Sequence, residues 1–357
     1  MEVDSLAITG GAGFVGSTIA LRVKQSRPSA TVVVLDNLAR RGSELNVPRL
    51  QAAGIVFQQG DVSRAADLEA LPRFELMIHC AAEPAVHGEI GASPRAGLET
   101  NLVGTINCLE LARARRAAFL YLSTSRVYPI ARLNALPYRE DATRFSWQAA
   151  QAPGFSEHGV AEDFPLEGAR SLYGAAKLAG ELIIQEYAGT YGLKALTNRC
   201  GVLAGPWQMS RIDQGVVGLW VAAHCFQRPL QYLGFGGQGK QVRDLLHVDD
   251  LIDLVQAQWQ RPDLWDGRVY NVGGGPQNSV SLFELTALCQ EVTGRTIPIH
   301  SRAETNPLDV RIFATDIRKV QRDFAWQPRH NPRRIVEDVT RWLVQNPAIE
   351  HALWPAK

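Results

Sequence analysis

An excess of charge of either sign is missing from this chain: 37 lysines and arginines face 36 aspartates and glutamates, a formal net charge of +1. The signs are interspersed, so composition gives no reason to expect nucleic acid or an anionic membrane as partner, though it leaves room for a local basic pocket. Cysteine is scarce and scattered. Cys80, Cys108, Cys200, Cys225 and Cys289 form no CxxC pair, which argues against a metal or redox centre and for small buried hydrophobes in a reducing cytoplasm. No apolar run approaches the roughly 20 residues of a membrane span. The opening MEVDSLAITG lacks a basic stretch followed by a long apolar one, so no secretory leader is expected. Repeats and low-complexity tracts are absent as well.

What is present is a chain of 357 residues, 46% hydrophobic, long enough for one large domain or two ordinary ones with a sizeable core. Short apolar runs predict strands at Leu6–Thr9, Thr31–Leu35, Ile55–Gln58, Leu76–Cys80, Phe119–Ser123 and Lys194–Arg199. Helix-length segments such as Gly16–Gln25 and Gly97–Arg115 lie between most of them. This alternation predicts an α/β fold: a doubly wound parallel sheet of the Rossmann type, binding its ligand at the carboxyl ends of the strands. Beyond residue 200 the pattern loosens, with helices expected at Ser281–Thr293 and Arg333–Gln345. The expected division is 1–200 for a nucleotide-binding domain, with segments near 240–275 and 313–345 returning to it. Residues 201–357 then form mainly a smaller, mixed α/β substrate lobe. Pro137–Arg170, rich in proline, glycine and polar residues, reads as a long functional loop.

TGGAGFVGS follows the first strand and sets Gly10, Gly13 and Gly16 as GxxGxxG. Glycines permit a tight turn and let backbone N–H groups approach a pyrophosphate at the helix N-terminus. The second strand ends at Asp36, 20 residues beyond Gly16. A carboxylate there can accept from both ribose hydroxyls of an adenosine and would repel a 2′-phosphate, which favours NAD over NADP. Arg40 and Arg41 follow closely and weigh the other way. Asp61, just after the third strand, is placed to meet the adenine edge.

In SLYGAAKLAGE (171–181), Tyr173 and Lys177 stand four apart, so a helix puts them on one face, with Gly174, Ala175 and Ala176 leaving room for a ligand. A phenol, with a pKa of about 10, is a poor base at neutral pH. A neighbouring ammonium favours the phenolate and turns tyrosine into a usable general acid and base. A hydroxyl should complete the set from the end of the fifth strand, where Ser123, Thr124 and Ser125 lie; Thr124 is favoured. His79 reads equally as packing or chemistry. His247-Val248-Asp249-Asp250 lacks further ligands at metal spacing, so no metal is expected, and Asp249 or Asp250 is expected to cap a helix. Trp259 and Trp265 are expected in core or interface.

Together these motifs resemble the extended short-chain dehydrogenase/reductases that act on nucleotide sugars. The likeness runs from ITGGAGFVGS through DN, GDV, HCAAEPAV, ETNLVGTINCLELA, STSRVY and YGAAK to RDLLHVDD and YNVGGG. It implies Thr124, Tyr173 and Lys177 as catalytic residues. It also implies contact with NAD by Gly10, Gly13, Phe14, Val15, Gly16, Asp36, Asn37, Asp61, Val62, Ala81, Ala82 and Asn101, with Tyr173 and Lys177 touching the cofactor as well. Such proteins are usually dimers or tetramers, which makes a homo-oligomer the expectation, and a cytoplasmic one.

The family's dehydratases carry Asp-Glu after the threonine, whereas Ser125-Arg126 follows here, so dehydration is not expected. A narrower likeness is to the CDP-tyvelose (CDP-paratose) 2-epimerases. It rests on DQGVVGLW (213–220), GKQVRDLLHVDD (239–250), GFSE (154–157) and DVRIFATDIRK (309–319). That resemblance implies a tightly held NAD+ that removes hydride from C2 of a CDP-sugar and returns it to the opposite face, while Tyr173 takes the hydroxyl proton. It also implies Arg243 and Arg311 as partners of the substrate diphosphate, for which a guanidinium fork is suited, with Thr124 on the substrate oxygen. Two departures bear on substrate choice: Asn306 replaces an arginine and Pro129 a glycine. The rivals are a UDP- or GDP-sugar 4-epimerase, a one-way 4-keto reductase, and a redox-sensing NAD-binding regulator. The retained Thr124–Tyr173–Lys177 set weighs against the regulator.

Overall fold

The computed structural model describes residues 3–84, 93–150, 152–210 and 215–354. Ala85 and Val86 of HCAAEPAV, and Asp213 and Gln214 of DQGVVGLW, lie outside the described residues. The chain divides into two compact units. One comprises Met1–Thr124, Leu172–Arg199 and Ile252–Tyr270; the other comprises Ser125–Ser171, Cys200–Leu251 and Asn271–Lys357.

The first unit is built on strands β1 (Ser5–Thr9), β2 (Thr31–Asp36), β3 (Val56–Gln59), β4 (Leu76–His79) and β5 (Ala118–Thr124). Ala195–Cys200 and Asp266–Val272 extend the sheet to seven strands. Their order, from Asp266–Val272 through Ala195–Cys200 to β5-β4-β1-β2-β3, is the doubly wound one. The β1–β2, β1–β4, β2–β3 and β4–β5 pairs are parallel. Val32 to Leu35 are all buried, as expected of β-branched and aliphatic runs with both faces covered. Phe119, Leu109, Met77, Leu35 and Ile184 pack one side of this core. A fully buried aliphatic or aromatic side chain of this kind contributes roughly 1.5–3 kcal/mol.

Register positions the site. Thr9 pairs with both Leu35 and His79, and His79 with Tyr121. Gly10, Asp36 and Cys80 therefore leave the sheet side by side at its carboxyl edge. The chain also switches direction across the sheet between β1 and β4, and such switch points open a ligand crevice.

The expected helices form, with one change. The Gly97–Arg115 run is broken into Arg95–Leu98, a π-helical turn at Glu99–Val103, and Gly104–Arg115. The expected loop at Pro137–Arg170 contains two small antiparallel hairpins, Tyr138–Glu140 with Phe145–Trp147 and Phe155–Ser156 with Gly159–Val160.

In the second unit Val202–Ala204, Val242–His247, Ser279–Ser281 and Ile312–Phe313 form a mixed sheet, and Leu230–Leu233 pairs with Ile299–Arg302. Its core gathers Trp220, Leu245, Leu285, Val339 and Trp342. Ser281 opens the Leu282–Thr293 helix through a reciprocal capping box with Glu284. Trp259 and Trp265 belong to the first unit and are buried there. Among the described residues all five cysteines are free, with Cys108, Cys200 and Cys289 buried, and no helix is long and apolar enough to cross a membrane.

Candidate active site

The glycine turn is a cradle that side chains would fill. Gly10 has φ +66°, and a Cβ there would fall 2.7 Å from the Ala81 nitrogen. At Gly16 it would fall 2.3 Å from the Gly10 oxygen, so the absence of a side chain lets the Phe14–Ser26 helix (α1) press against the turn. Gly13 is the N-cap of α1, with no side-chain cap and no acid in the first turn, while Phe14 and Val15 are its first, half-buried residues. A helix start without side-chain capping presents N–H groups and positive potential to an anion.

Asp36 ties this turn to the end of β2. Its Oδ2 accepts from Ala12 N at 3.0 Å and its Oδ1 from Leu38 N at 2.8 Å. Burial raises its pKa above the ordinary carboxylate value despite these hydrogen bonds. Each carboxylate oxygen keeps a second lone pair, so the group can still accept from a ribose. Beside it, Asn37 Nδ2 donates to Asp61 Oδ2 at 2.9 Å, and Ser63 donates to Asp61 Oδ1 from both its backbone and its hydroxyl. Burial opposes ionisation of Asp61, but these donors prevail and lower its pKa. Val62 is buried against Gly104, where an added Cβ would lie 2.5 Å from Val62 Cγ2.

Ala81 and Ala82 are half-buried just past β4. Asn101, in the π-turn, grips the same segment twice: its Oδ1 accepts from Glu83 N and its Nδ2 donates to Glu83 O, both at 2.9 Å. Asn101 therefore shapes the strand-end loop, a role its sequence motif did not reveal. The fully buried His79 has the same character. Thr105 Oγ1 donates to Asn101 O at 2.8 Å, so it accepts from His79 Nε2 at 3.0 Å, and Nδ1 accepts from Thr9 Oγ1 at 2.6 Å. Both ring nitrogens are satisfied by a neutral imidazole, which serves packing.

Tyr173 and Lys177 lie on the long helix Leu172–Tyr191, both buried. Lys177 Nζ donates to Leu122 O at 2.9 Å and sits 4.5 Å from the centre of the Tyr121 ring. Thr124, also buried, ends the same strand two residues beyond Leu122. Next to this lies a network that sequence reasoning missed. Ser123 Oγ donates to Glu181 Oε1 at 2.5 Å, and the Arg199 guanidinium grips Glu181 through Nε and Nη2 at 3.0 and 2.8 Å to Oε2. Glu181 follows Lys177 by four residues, and that spacing was the available signal.

In the second unit Arg243 Nη2 donates to Asp309 Oδ1 at 2.9 Å and Nη1 to Val242 O at 2.7 Å. Asn306 turns the chain into Asp309: its Oδ1 accepts from Leu308 N and its carbonyl from Asp309 N, both at 2.9 Å. Arg311 sits in an aromatic cage, 4.0 Å from the Tyr138 ring centre, 5.2 Å from Phe235 and 5.7 Å from Phe145. Pro129 is the N-cap of the short Ile130–Asn134 helix. The capping expectation is corrected: His247 Nδ1 accepts from Asp249 N at 3.0 Å, so the cap is the histidine. Asp250 instead holds His330, through its ring Nδ1 at 2.8 Å and its backbone N at 3.1 Å. His247, Asp249 and His330 bring ligating atoms within 4.8 Å of one another, but the Nδ1 atoms of both histidines are engaged in these contacts.

The sheet order, the glycine cradle and the carboxylate closing β2 define a dinucleotide-binding protein. A family model described as "NAD dependent epimerase/dehydratase family" matches residues 6–273, and the chain belongs to that family. Its cofactor is NAD. The chain is 30% identical to the CDP-paratose 2-epimerase of Salmonella typhi, over 94% of this chain and 98% of that protein. It is 28% identical to the dTDP-glucose 4,6-dehydratase of Streptomyces antibioticus, over 96% and 93% of the two chains. The solved UDP-glucose 4-epimerase of Thermotoga maritima shares the fold, with a TM-score of 0.76 at 22% identity, over 96% of this chain and 99% of that one.

Proposed function

We propose that this protein is a nucleotide-sugar epimerase that inverts C2 of a CDP-sugar of the paratose type. NAD+ held at the glycine cradle would supply reversible hydride acceptance. Gly10, Gly13, Gly16 and the first N–H groups of α1 hold its pyrophosphate, and Asp36 holds the adenosine ribose. The tightness of the cradle and the uncapped helix start support this fit.

The observation that carries the reading is the Lys177–Leu122 hydrogen bond, which fastens the Tyr173 helix to the strand ending in Thr124. Thr124 Oγ1 orients the reacting hydroxyl, and the Tyr173 oxygen removes its proton and later restores it. The Lys177 charge favours the phenolate. Arg243 and Arg311 serve the substrate diphosphate, Arg311 with its plane braced by aromatic rings. The likeness to CDP-paratose 2-epimerase supports C2, and Ser125-Arg126 in place of an acidic pair disfavours dehydration. The test is to incubate the purified protein with CDP-paratose without added cofactor and to separate the sugars chromatographically. The reading expects interconversion that Tyr173→Phe abolishes while leaving bound NAD in place. Turnover that requires added NADH and runs one way would favour the keto-reductase alternative instead.

A further inference from the structure

Ala12, inside the glycine turn, has no exposed surface, so its carbonyl oxygen needs a partner from the protein. That partner stands 34 residues along the chain: Asn46 Nδ2 donates to Ala12 O at 2.9 Å. Asn46 is itself buried, at the end of the short Ser43–Asn46 turn. Its amide is not free to reverse. Arg49 Nη1 donates to Asn46 Oδ1 at 2.5 Å, and a guanidinium only donates, so Oδ1 must face Arg49 and the amino group must face Ala12.

The Ala12–Gly13 peptide is fixed at its other end as well, because Gly13 N donates to Gly10 O at 3.1 Å. The preceding peptide is pinned by β2, where Asp36 Oδ2 accepts from Ala12 N at 3.0 Å. A peptide bonded through both its C=O and its N–H does not flip. Gly13 is the N-cap of α1, so the planes fixed in this way lead directly into the first N–H groups of the helix. Were the Ala12 carbonyl released, it could turn its negative end toward the place where those groups attract an anion, and the turn would lose part of its pull.

We infer that Asn46 is a positioning residue for NAD: it acts through the Ala12–Gly13 peptide, keeping the turn's N–H groups toward the pyrophosphate, and so sets how tightly the cofactor is retained. This rests on the reading that the glycine cradle holds the pyrophosphate, and it adds a residue from outside the cradle and its motif.

The test uses the purified holoenzyme with Asn46→Asp, Asn46→Ala and Gly16→Ala. Asn46→Asp keeps an acceptor for Arg49 and loses the donor to Ala12, whereas Asn46→Ala loses both. NAD release is timed after dilution, the released proteins are titrated calorimetrically with ADP and with adenosine, and each protein is melted with and without NAD. Both Asn46 variants should release NAD roughly tenfold to a hundredfold faster, the factor that an unsatisfied buried carbonyl implies. ADP should weaken by a similar factor, and adenosine, which has no pyrophosphate, should bind as it does to wild type. Asn46→Asp should melt above Asn46→Ala, because its carboxylate pairs with Arg49, yet release NAD at least as fast. Release rates that simply follow the melting temperatures, or ADP and adenosine weakened alike, would overturn the inference and leave Asn46 a role in folding alone. Wild-type release from both Asn46 variants, with NAD lost from Gly16→Ala, would overturn it while sparing the cradle. Full NAD in Gly16→Ala would remove the cradle reading and this inference with it. No arm needs turnover, so the result stands whatever sugar the enzyme takes.

Discussion

Lys177 Nζ donates to the carbonyl oxygen of Leu122 at 2.9 Å, joining the helix that carries Tyr173 to the strand that ends in Thr124. The cation is fixed at full burial by a neutral acceptor and by the face of Tyr121. Its charge reaches groups nearby, and helps to hold the His79 imidazole neutral. Lys177→Met keeps the length of the side chain and removes the charge. Turnover should fall at least about a hundredfold, the lower bound typical of losing acid–base assistance, and stability should fall by roughly 1 kcal/mol for the lost hydrogen bond. Steady-state kinetics and thermal melting read the two effects separately. A wild-type rate with only the melting shift would assign the lysine to the fold alone.

His79 carries a pH prediction. Burial, and then the Lys177 charge, push its pKa well below the ordinary histidine value of 6.5. The unfolded chain then binds the proton more readily than the folded one, so stability is full above about pH 6.5 and falls as pH drops below it. The slope from this group is about 1.4 kcal/mol per pH unit until the depressed folded pKa is reached. His79→Asn should remove this fall, leaving the profile below pH 6.5 flatter by up to about 1.4 kcal/mol per pH unit, measured by urea unfolding. Equal slopes in the two proteins would remove the buried neutral imidazole from the account.

The Ser123–Glu181–Arg199 network should matter to stability far more than an exposed ion pair does. The Arg199–Glu181 side chains are 5% and 1% exposed. Removing one partner leaves the other charge buried and uncompensated, a loss of about 3–5 kcal/mol. Glu181→Gln should lower the unfolding free energy by that order and Ser123→Ala by only about 1–2 kcal/mol. A double-mutant cycle on the two positions measures their coupling, and additive losses would show that serine and carboxylate do not act together.

Gly16→Ala tests the cradle. Its Cβ would meet the Gly10 oxygen at 2.3 Å, so helix and turn must separate. The protein should fold, by circular dichroism, yet carry at most about a tenth of the wild-type NAD, since the pyrophosphate contact depends on that close approach. Full NAD content in the alanine protein would place the pyrophosphate elsewhere.

The parts legible in the sequence are those set by neighbours along the chain. Strand runs such as Thr31–Leu35, the GxxGxxG turn and the Tyr173–Lys177 spacing declare themselves within a few residues, because period and backbone freedom are local properties. What escaped depends on distant segments meeting. Ser123 and Glu181 are 58 apart in the chain, and the Arg311 cage draws on Tyr138, Phe145 and Phe235 from separate elements. The helix cap misread at Asp249–Asp250 shows a further limit. Composition favours aspartate at such a position, but Asp250 is drawn away to His330, a partner 80 residues on, and His247 takes the cap. The π-turn at Glu99–Val103 likewise has no signature in residue spacing.

The central claim is retained-NAD epimerisation at C2, and proton NMR of CDP-paratose in D2O with the protein as purified tests it most directly. The account predicts inversion at C2 with the original hydrogen kept and no deuterium entering the sugar. Deuterium appearing at C2 would contradict it, because the carbon would then have exchanged its hydrogen with solvent. So would an unaltered sugar in the presence of protein shown to carry NAD, which would remove the CDP-sugar from the proposal.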